Sequence, residues 1–241
     1  MKRTIIDLYS KLYSYHIESD NKNWQSIKIA DNNPLVEITN VFVNLGSSND
    51  LIKDTDPNLP WAMDHFEERV NGFPINPGKE YRNWPFYEAK DLDNDRLFRS
   101  KGKFSHNYME RYWCSDLKGR RYQYGDLHDV MDRLRKNPNT RQAYLSVWHP
   151  EDQSNNDVRV PCTLGYWFYK ENGKINITYH IRSCDAVRHL RNDIYMTYRL
   201  LQFVCQDILE EPGNMYMWIG SLHCFKSDLY YINKYVRDTD N

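Results

Sequence analysis

The sequence predicts an α+β protein built on a mixed β-sheet, not a doubly wound fold, and three observations predict it. Helical and strand patterns follow one another without strict βα alternation. Two strand-like runs, 163–170 and 174–180, flank Glu171-Asn172-Gly173, and Asn-Gly between alternating runs is a strong hairpin signal. The run 186–209 is long and mostly apolar, which predicts a buried central helix.

The elements follow in order. Residues 4–15 carry Ile5, Leu8, Leu12 and Tyr15 at helical spacing. Residues 36–43 (VEITNVFV) read as a strand. Residues 60–70 read as a helix with Pro60 near its first turn. The stretch 72–103 is rich in Pro, Asn and Gly and predicts a long loop region. Residues 126–136 form an amphipathic helix stopped by Asn137-Pro138. Residues 141–149 are strand-like, a polar loop follows, and the hairpin comes next. Pro212-Gly213 stands just past the central helix, 215–220 is a strand, and the tail from Lys226 reads as a helix.

Composition excludes several classes. The chain has 241 residues, 40% hydrophobic and 27% charged, too apolar for a disordered protein. We expect one domain over 1–241 that buries roughly 70% of its unfolded surface without disulfides or metal. Lys plus Arg is 32 and Asp plus Glu is 33, so no general nucleic-acid or membrane coat is indicated. No window predicts a membrane helix or a leader, and the five widely spaced cysteines form no CxxC or Cys/His cluster. A reducing cytoplasm with free thiols and no metal is the simplest expectation. Aromatic content is high at 15%, with 19 Tyr and 7 Trp, residues suited to cores and to pockets for flat ligands.

Four short constellations carry chemistry. Pro161-Cys162-Thr163 places a thiol, a strong nucleophile as thiolate, at a strand start; alone it equally fits a small core residue. Arg182-Ser183-Cys184-Asp185 ends the neighbouring strand, and Arg with Ser makes a phosphate pair or a solvated strand end. Arg191-Asn192-Asp193 lies inside the apolar helix, where polar groups need partners, structural or functional. Gly220-Ser221-Leu222-His223-Cys224-Phe225 offers His223 as a ligand-binding or proton-handling group.

In order and spacing, all four resemble one family, the thymidylate synthases and related pyrimidine nucleotide hydroxymethylases. Asn137-Pro138-Asn139-Thr140-Arg141 is similar to that family's phosphate segment, and residues 102–108, ending in Tyr108, to its active-site stretch. The resemblance covers about residues 58–235. It implies that Cys162 attacks carbon 6 of a bound pyrimidine nucleotide, so that carbon 5 captures the one-carbon unit of 5,10-methylenetetrahydrofolate. Arg182 is then beside the sulfur and near the phosphate, Ser183 and Arg141 hold the phosphate, and Asp185 binds the pterin. The resemblance also implies a homodimer through a sheet face, with Arg141 reaching across the interface. Trp84 packs near the folate, Tyr108 assists proton transfer at carbon 5, and His223 binds the sugar hydroxyl.

Asp193 holds the position where synthases acting on deoxyuridylate carry Asn. An amide accepts from the uracil ring N–H and donates to its carbonyl; cytosine presents the reverse pattern, which a protonated carboxyl matches. Asp193 and Cys162-Thr163 resemble phage deoxycytidylate hydroxymethylases, which implies a phage source, host cytoplasm and a hydroxymethyl product. A register one residue earlier would instead present Asn192 and restore uracil. Methyl against hydroxymethyl depends on water exclusion. Only residues 226–241 follow Phe225, too few for the family's folate lid, so water is expected to finish the reaction. Glu68, with Glu67 second, is the candidate carboxylate for that water. Three departures stand out. Phe225 replaces a Tyr, Gln142 replaces a second Arg, and an N-terminal phosphate Arg has no counterpart beyond Lys28.

Overall fold

The computed structural model describes residues 1–18, 35–72, 75–85, 99–100, 103–104, 108–113, 126–153 and 160–239. Helix α1 (Lys2–Glu18) buries Ile5, Leu8 and Leu12 on one stripe, as their spacing predicts, against strand β1 (Leu35–Gly46) and the last helix. Helix α2 (Leu51–Thr55) is capped by Asp50, whose side chain accepts the Lys53 N–H at 3.1 Å. Helix α3 (Trp61–Val70) follows. Helix α4 (Lys79–Arg82) and the small pair β2 (Arg99–Ser100) and β3 (Lys103–Phe104) interrupt the stretch expected to be loop. Residues 86–98 of that stretch lie outside the described residues. Helices α2, α4 and α5 (Met109–Tyr112) were not expected, because four or five residues are too few to show a helical period.

Helix α6 (Leu127–Lys136) is the expected amphipathic helix, with Asp126 accepting the Asp129 N–H at 3.1 Å. Strand β4 (Ala143–Ser146) is the centre of the expected run. Strands β5 (Thr163–Glu171) and β6 (Lys174–Asp185) form the expected hairpin. Asn172 and Gly173 take positive φ of 52° and 79° at its turn, the geometry that makes Asn-Gly a hairpin signal.

The central helix, α7 (Leu190–Ile208), starts later than the apolar run suggested. Asp185 Oδ1 accepts the N–H groups of Val187 and Arg188 at 3.0 and 2.9 Å and holds residues 186–189 in a turn. The helix ends on left-handed Leu209, and Pro212-Gly213 opens the next strand instead of trailing the helix. That strand, β7 (Pro212–Phe225), runs through the motif taken for a strand end. Helix α8 (Leu229–Thr239) follows.

The main sheet has the order β1-β7-β6-β5-β4. Only β6 and β7 pair in parallel, joined by α7, so the sheet is mixed. One face packs under the helices through Ile177, Tyr179, Met215, Met217, Tyr166 and Phe168. The opposite face carries Phe42, Tyr144, Trp167, Tyr169, Tyr216 and Trp218, with Trp167 and Tyr169 stacked at 4.4 Å. Phe42 is 62% and Tyr144 40% exposed, so this aromatic face is open at those positions. No helix among the described residues is long and apolar enough to cross a membrane.

The strands do not keep their faces along their whole length. On β7 the buried positions are Met215, Met217 and Ile219, then Leu222 and Cys224, so the alternation slips by one at Gly220-Ser221. On β1 it slips between Ile38 and Val41, and on β6 between Ile181 and Cys184. The slips are neighbours: Ile219 pairs with Val41 and Ile181, and Ser221 with Thr39 and Ser183. Asn40 takes φ 54° there. A Cβ on Gly220 would lie 2.8 Å from the Arg182 carbonyl oxygen, closer than a side chain tolerates. Gly220→Ala is therefore expected to lower stability by about 1–3 kcal/mol, through forced backbone shifts, in chemical denaturation followed by circular dichroism. An unchanged midpoint would show that the strands do not need this approach.

Candidate active site

Of the residues singled out from the sequence, Cys162, Arg182, Ser183, Asp185 and His223 gather near the level where the strands slip. Cys162 is half-buried one residue ahead of β5, and its peptide is fixed on both sides. Its N–H donates to Tyr108 Oη at 3.3 Å, and its carbonyl accepts the Arg182 N–H at 2.9 Å. The Arg182 side chain continues the clamp. Its Nε donates to Pro161 O at 2.9 Å and its Nη2 to Val160 O at 3.2 Å, with the guanidinium 5.6 Å from the Trp148 ring centroid. The hairpin thus puts Arg182 against the cysteine segment, as strand neighbours should be.

Ser183 pairs with Ser221, and Asp185 pairs with His223, both across the parallel β6–β7 ladder. Burial pushes Asp185 up while the His223 charge pulls it back; burial pushes His223 down while Asp185 and then Glu37 oppose. Two titratable groups therefore meet at one end of the sheet. Asp185 Oδ1 is engaged by the turn, and Oδ2 lies 3.8 Å from Arg188 Nε. Phe225 packs edge-on to His223 at 6.0 Å, with the Arg188 guanidinium 5.2 Å from its ring centroid.

The three polar residues in the first turn of α7 go three ways, as successive residues on a helix must. Arg191 Nη1 reaches Asp56 Oδ2 at 2.6 Å and Asp56 O at 2.8 Å, a structural ion pair. Asn192 is 1% exposed and fully engaged. Its Oδ1 accepts the Asn58 N–H at 2.8 Å, and its Nδ2 donates to Asn58 Oδ1 and Arg188 O, both at 2.9 Å. Asp193 is half-buried, and its Oδ2 accepts a long 3.8 Å contact from Cys184 Sγ. Burial pushes its carboxyl up to about 7, against the pull of the Arg69 charge. Tyr108 lies between these groups. Burial first, then the neighbouring Cys162, raise its phenol to about 12; Arg69 opposes and Asp193 adds.

The remaining candidates lie further out. Trp84 meets Trp61 edge-on at 5.3 Å and His189 at 6.0 Å, an aromatic corner suited to a flat heterocycle. Glu68 caps α4: Oε1 accepts the Lys79 N–H, and both carboxylate oxygens receive the Glu80 N–H at 3.4 Å. Burial raises its pKa. It also lines a cleft of about 390 Å³ with Asp64, Glu67, Lys79 and Arg82, and Glu67 is exposed. Arg141 is exposed at the entrance to β4, and its carbonyl accepts Trp167 Nε1 at 3.2 Å, at the rim of the aromatic face. Gln142 accepts Arg133 Nη1 at 2.7 Å. Lys28 and residues 105–107 lie outside the described residues. No metal-binding cluster of His, Cys, Asp or Glu occurs among the described residues.

Sequence reasoning missed His65, Arg69 and Glu80, all buried behind Tyr108. His65 and Arg69 share the buried stripe of α3 with Trp61, at i, i+4 and i+8. That spacing is the signal in the sequence, while the adjacent Glu67 and Glu68 are exposed and partly exposed carboxylates.

A family model described as thymidylate synthase matches residues 70–240, which include Tyr108, Cys162, Arg182, Asp185, Asp193 and His223. The thymidylate synthase of Listeria monocytogenes serotype 4b (strain F2365) is 22% identical over 153 residues, 64% of this chain and 48% of that protein. The thymidylate synthase of Mycoplasma mobile is 26% identical over 184 residues, 72% and 60% of the two chains. The bifunctional dihydrofolate reductase-thymidylate synthase of Zea mays is 26% identical over 165 residues, 67% of this chain and 30% of that one. In these alignments the chain spans from under a third to three fifths of the relatives' length, about half of the Listeria protein. With the family match reaching from the end of α3 through α8, the chain belongs to the thymidylate synthase family.

Proposed function

We propose that the protein transfers a one-carbon unit from methylenetetrahydrofolate to carbon 5 of deoxycytidylate and that water completes the product, 5-hydroxymethyl-deoxycytidylate. Cys162 is the nucleophile at carbon 6, with its peptide held by Tyr108 and Arg182. Arg182, Ser183 and Arg141 hold the phosphate, and His223 the sugar. Trp84 and Asp185 hold the folate, which supplies the carbon unit. Tyr108 handles the proton at carbon 5. Glu68 orders the water, reached through the cleft it lines.

One observation carries the choice of base. Asn192, the amide that would read uracil, is tied to Asn58 and Arg188, while Asp193 is left half-buried with a carboxyl that holds a proton up to about pH 7. A protonated carboxyl donates to the unprotonated ring nitrogen of cytosine, and its other oxygen accepts from the amino group. Uracil would set donor against donor, and a site built for one pattern rejects the other strongly. The second reading, thymidylate synthesis on deoxyuridylate, is favoured by the relatives from Listeria and Mycoplasma, both of them thymidylate synthases.

Incubation with methylenetetrahydrofolate and both nucleotides, followed by mass spectrometry, separates the readings. A hydroxymethyl product exceeds a methyl product by one oxygen, and a product formed only from deoxyuridylate would refute the cytosine reading. Asp193→Asn is expected to shift the kcat/KM ratio toward deoxyuridylate by about 10²–10⁴. The sign of the pH dependence follows from the raised carboxyl. Its protonated form exists below about pH 7, so kcat/KM for deoxycytidylate falls as pH rises through that value and Asp193→Asn loses that limb. We further propose a homodimer through the open aromatic face, with Arg141 completing the partner's site. Mixing inactive Arg141→Ala and Cys162→Ala proteins is then expected to restore partial activity, because mixed dimers hold one intact site. No recovery after subunit exchange would place Arg141 in its own subunit's site.

A further inference from the structure

A neutral carboxyl carries its proton on either oxygen, and the two forms read different bases. With the proton on the oxygen facing ring nitrogen 3, Asp193 donates there and accepts from the cytosine amino group. With the proton on the other oxygen, it accepts from the uracil N–H and donates to the uracil carbonyl. A protonated Asp193 therefore rejects uracil only when a neighbour holds that proton on one oxygen.

Cys184 is placed to do so. Strand β6 slips between Ile181 and Cys184, and the slip turns Cys184 inward, where it is 1% exposed. Its Sγ lies 3.8 Å from Asp193 Oδ2 and 3.8 Å from Asp185 O. Asp185 O already accepts the His189 N–H at 3.0 Å, which leaves the thiol proton for Asp193. Backbone fixes both partners. Cys184 pairs with Leu222 in the parallel β6–β7 ladder, and the Asp193 N–H donates to His189 O at 2.8 Å. Burial keeps the thiol protonated, pushing it well above its usual range, and the nearby Asp193 and Asp185 add to the shift. Sulfur is a weak acceptor, so the thiol meets a carboxyl oxygen as a donor. An oxygen that receives the S–H is disfavoured as the bearer of the carboxyl proton, and the two oxygens of Asp193 cease to be equivalent.

We propose that Cys184 is a positioning residue that sets base specificity: its S–H makes Oδ2 the acceptor for the cytosine amino group and leaves the carboxyl proton on Oδ1, facing ring nitrogen 3. This rests on the reading that Asp193 faces cytosine.

Steady-state kinetics of the full chain at about pH 6, where Asp193 holds its proton, test the proposal. Methylenetetrahydrofolate is supplied with deoxycytidylate or deoxyuridylate, and melting curves are recorded in parallel. Cys184→Ala and Cys184→Val remove the donor at a smaller and a larger volume. In both, the ratio of kcat/KM for deoxycytidylate over deoxyuridylate is expected to fall about three- to tenfold, the worth of one neutral hydrogen bond. A packing defect lowers both nucleotides alike, so an unchanged ratio overturns the inference. A crystal structure of the wild type with deoxycytidylate reads the same point without a variant. The amino nitrogen is expected against Oδ2 and ring nitrogen 3 against Oδ1, and the reverse placement overturns the inference. A wild type that prefers deoxyuridylate removes the reading of Asp193 and this inference with it. Preference for deoxycytidylate with an unchanged ratio in the variants removes the inference alone.

Discussion

The approach of Gly220 to the Arg182 carbonyl organises both sheet and site. Three adjacent strands change faces at one level, and they do so only because position 220 has no Cβ and Asn40 accepts a left-handed backbone. Below that level the sheet offers a regular apolar face to α7. At and beyond it, the same strands deliver Arg182, Ser183, Asp185 and His223 to one end, next to the Cys162 peptide. A sheet with unbroken alternation would put either the core residues or the polar residues on the wrong face. Core and chemistry thus share strands through one backbone contact.

Much of this was legible in the sequence because it rests on local rules. The hairpin followed from Asn172-Gly173, helix α6 from its period and its Asn137-Pro138 stop, and α1 from Ile5, Leu8 and Leu12. Where a tertiary contact overrode a local rule, the reading slipped. Residues 186–189 precede α7 within the same run and still form a turn, because the Asp185 side chain takes the N–H groups of Val187 and Arg188. Pro212-Gly213 looks like a helix stop and instead begins a strand, fixed by the N–H of Asn214 donating to Asn176 Oδ1 at 2.7 Å. Strand β7 runs past Gly220 because its slip is matched by its neighbours, and no single-strand pattern records that.

The candidate site was legible by spacing and silent on distant partners. Spacing from Asp185 favours Asp193 over its neighbour Asn192 as the group left for a ligand. The contact of Asn192 with Asn58, 134 positions away in the chain, ties up that amide, and no local pattern records it. The buried His65, Arg69 and Glu80 were hidden for a different reason. Charged residues on a helix usually mark its solvated face. Here a stripe with an Arg and a His is the buried one, and its partner Glu80 comes from a separate short helix.

That buried stripe bears on how one scaffold handles two bases. An amide needs no proton to read uracil, so its surroundings are free to be neutral. A carboxyl that reads cytosine must keep a proton near neutral pH, and a lone guanidinium at its side would remove it. Arg69, which stacks on Tyr108 and donates to His65, exerts such a pull on Asp193. Exchanging Asn for Asp is therefore insufficient unless burial outweighs the pull of the cation behind it. In this chain it does: burial carries the Asp193 carboxyl up to about 7 against the Arg69 charge, so its proton depends on the depth of the site as well as on the residue.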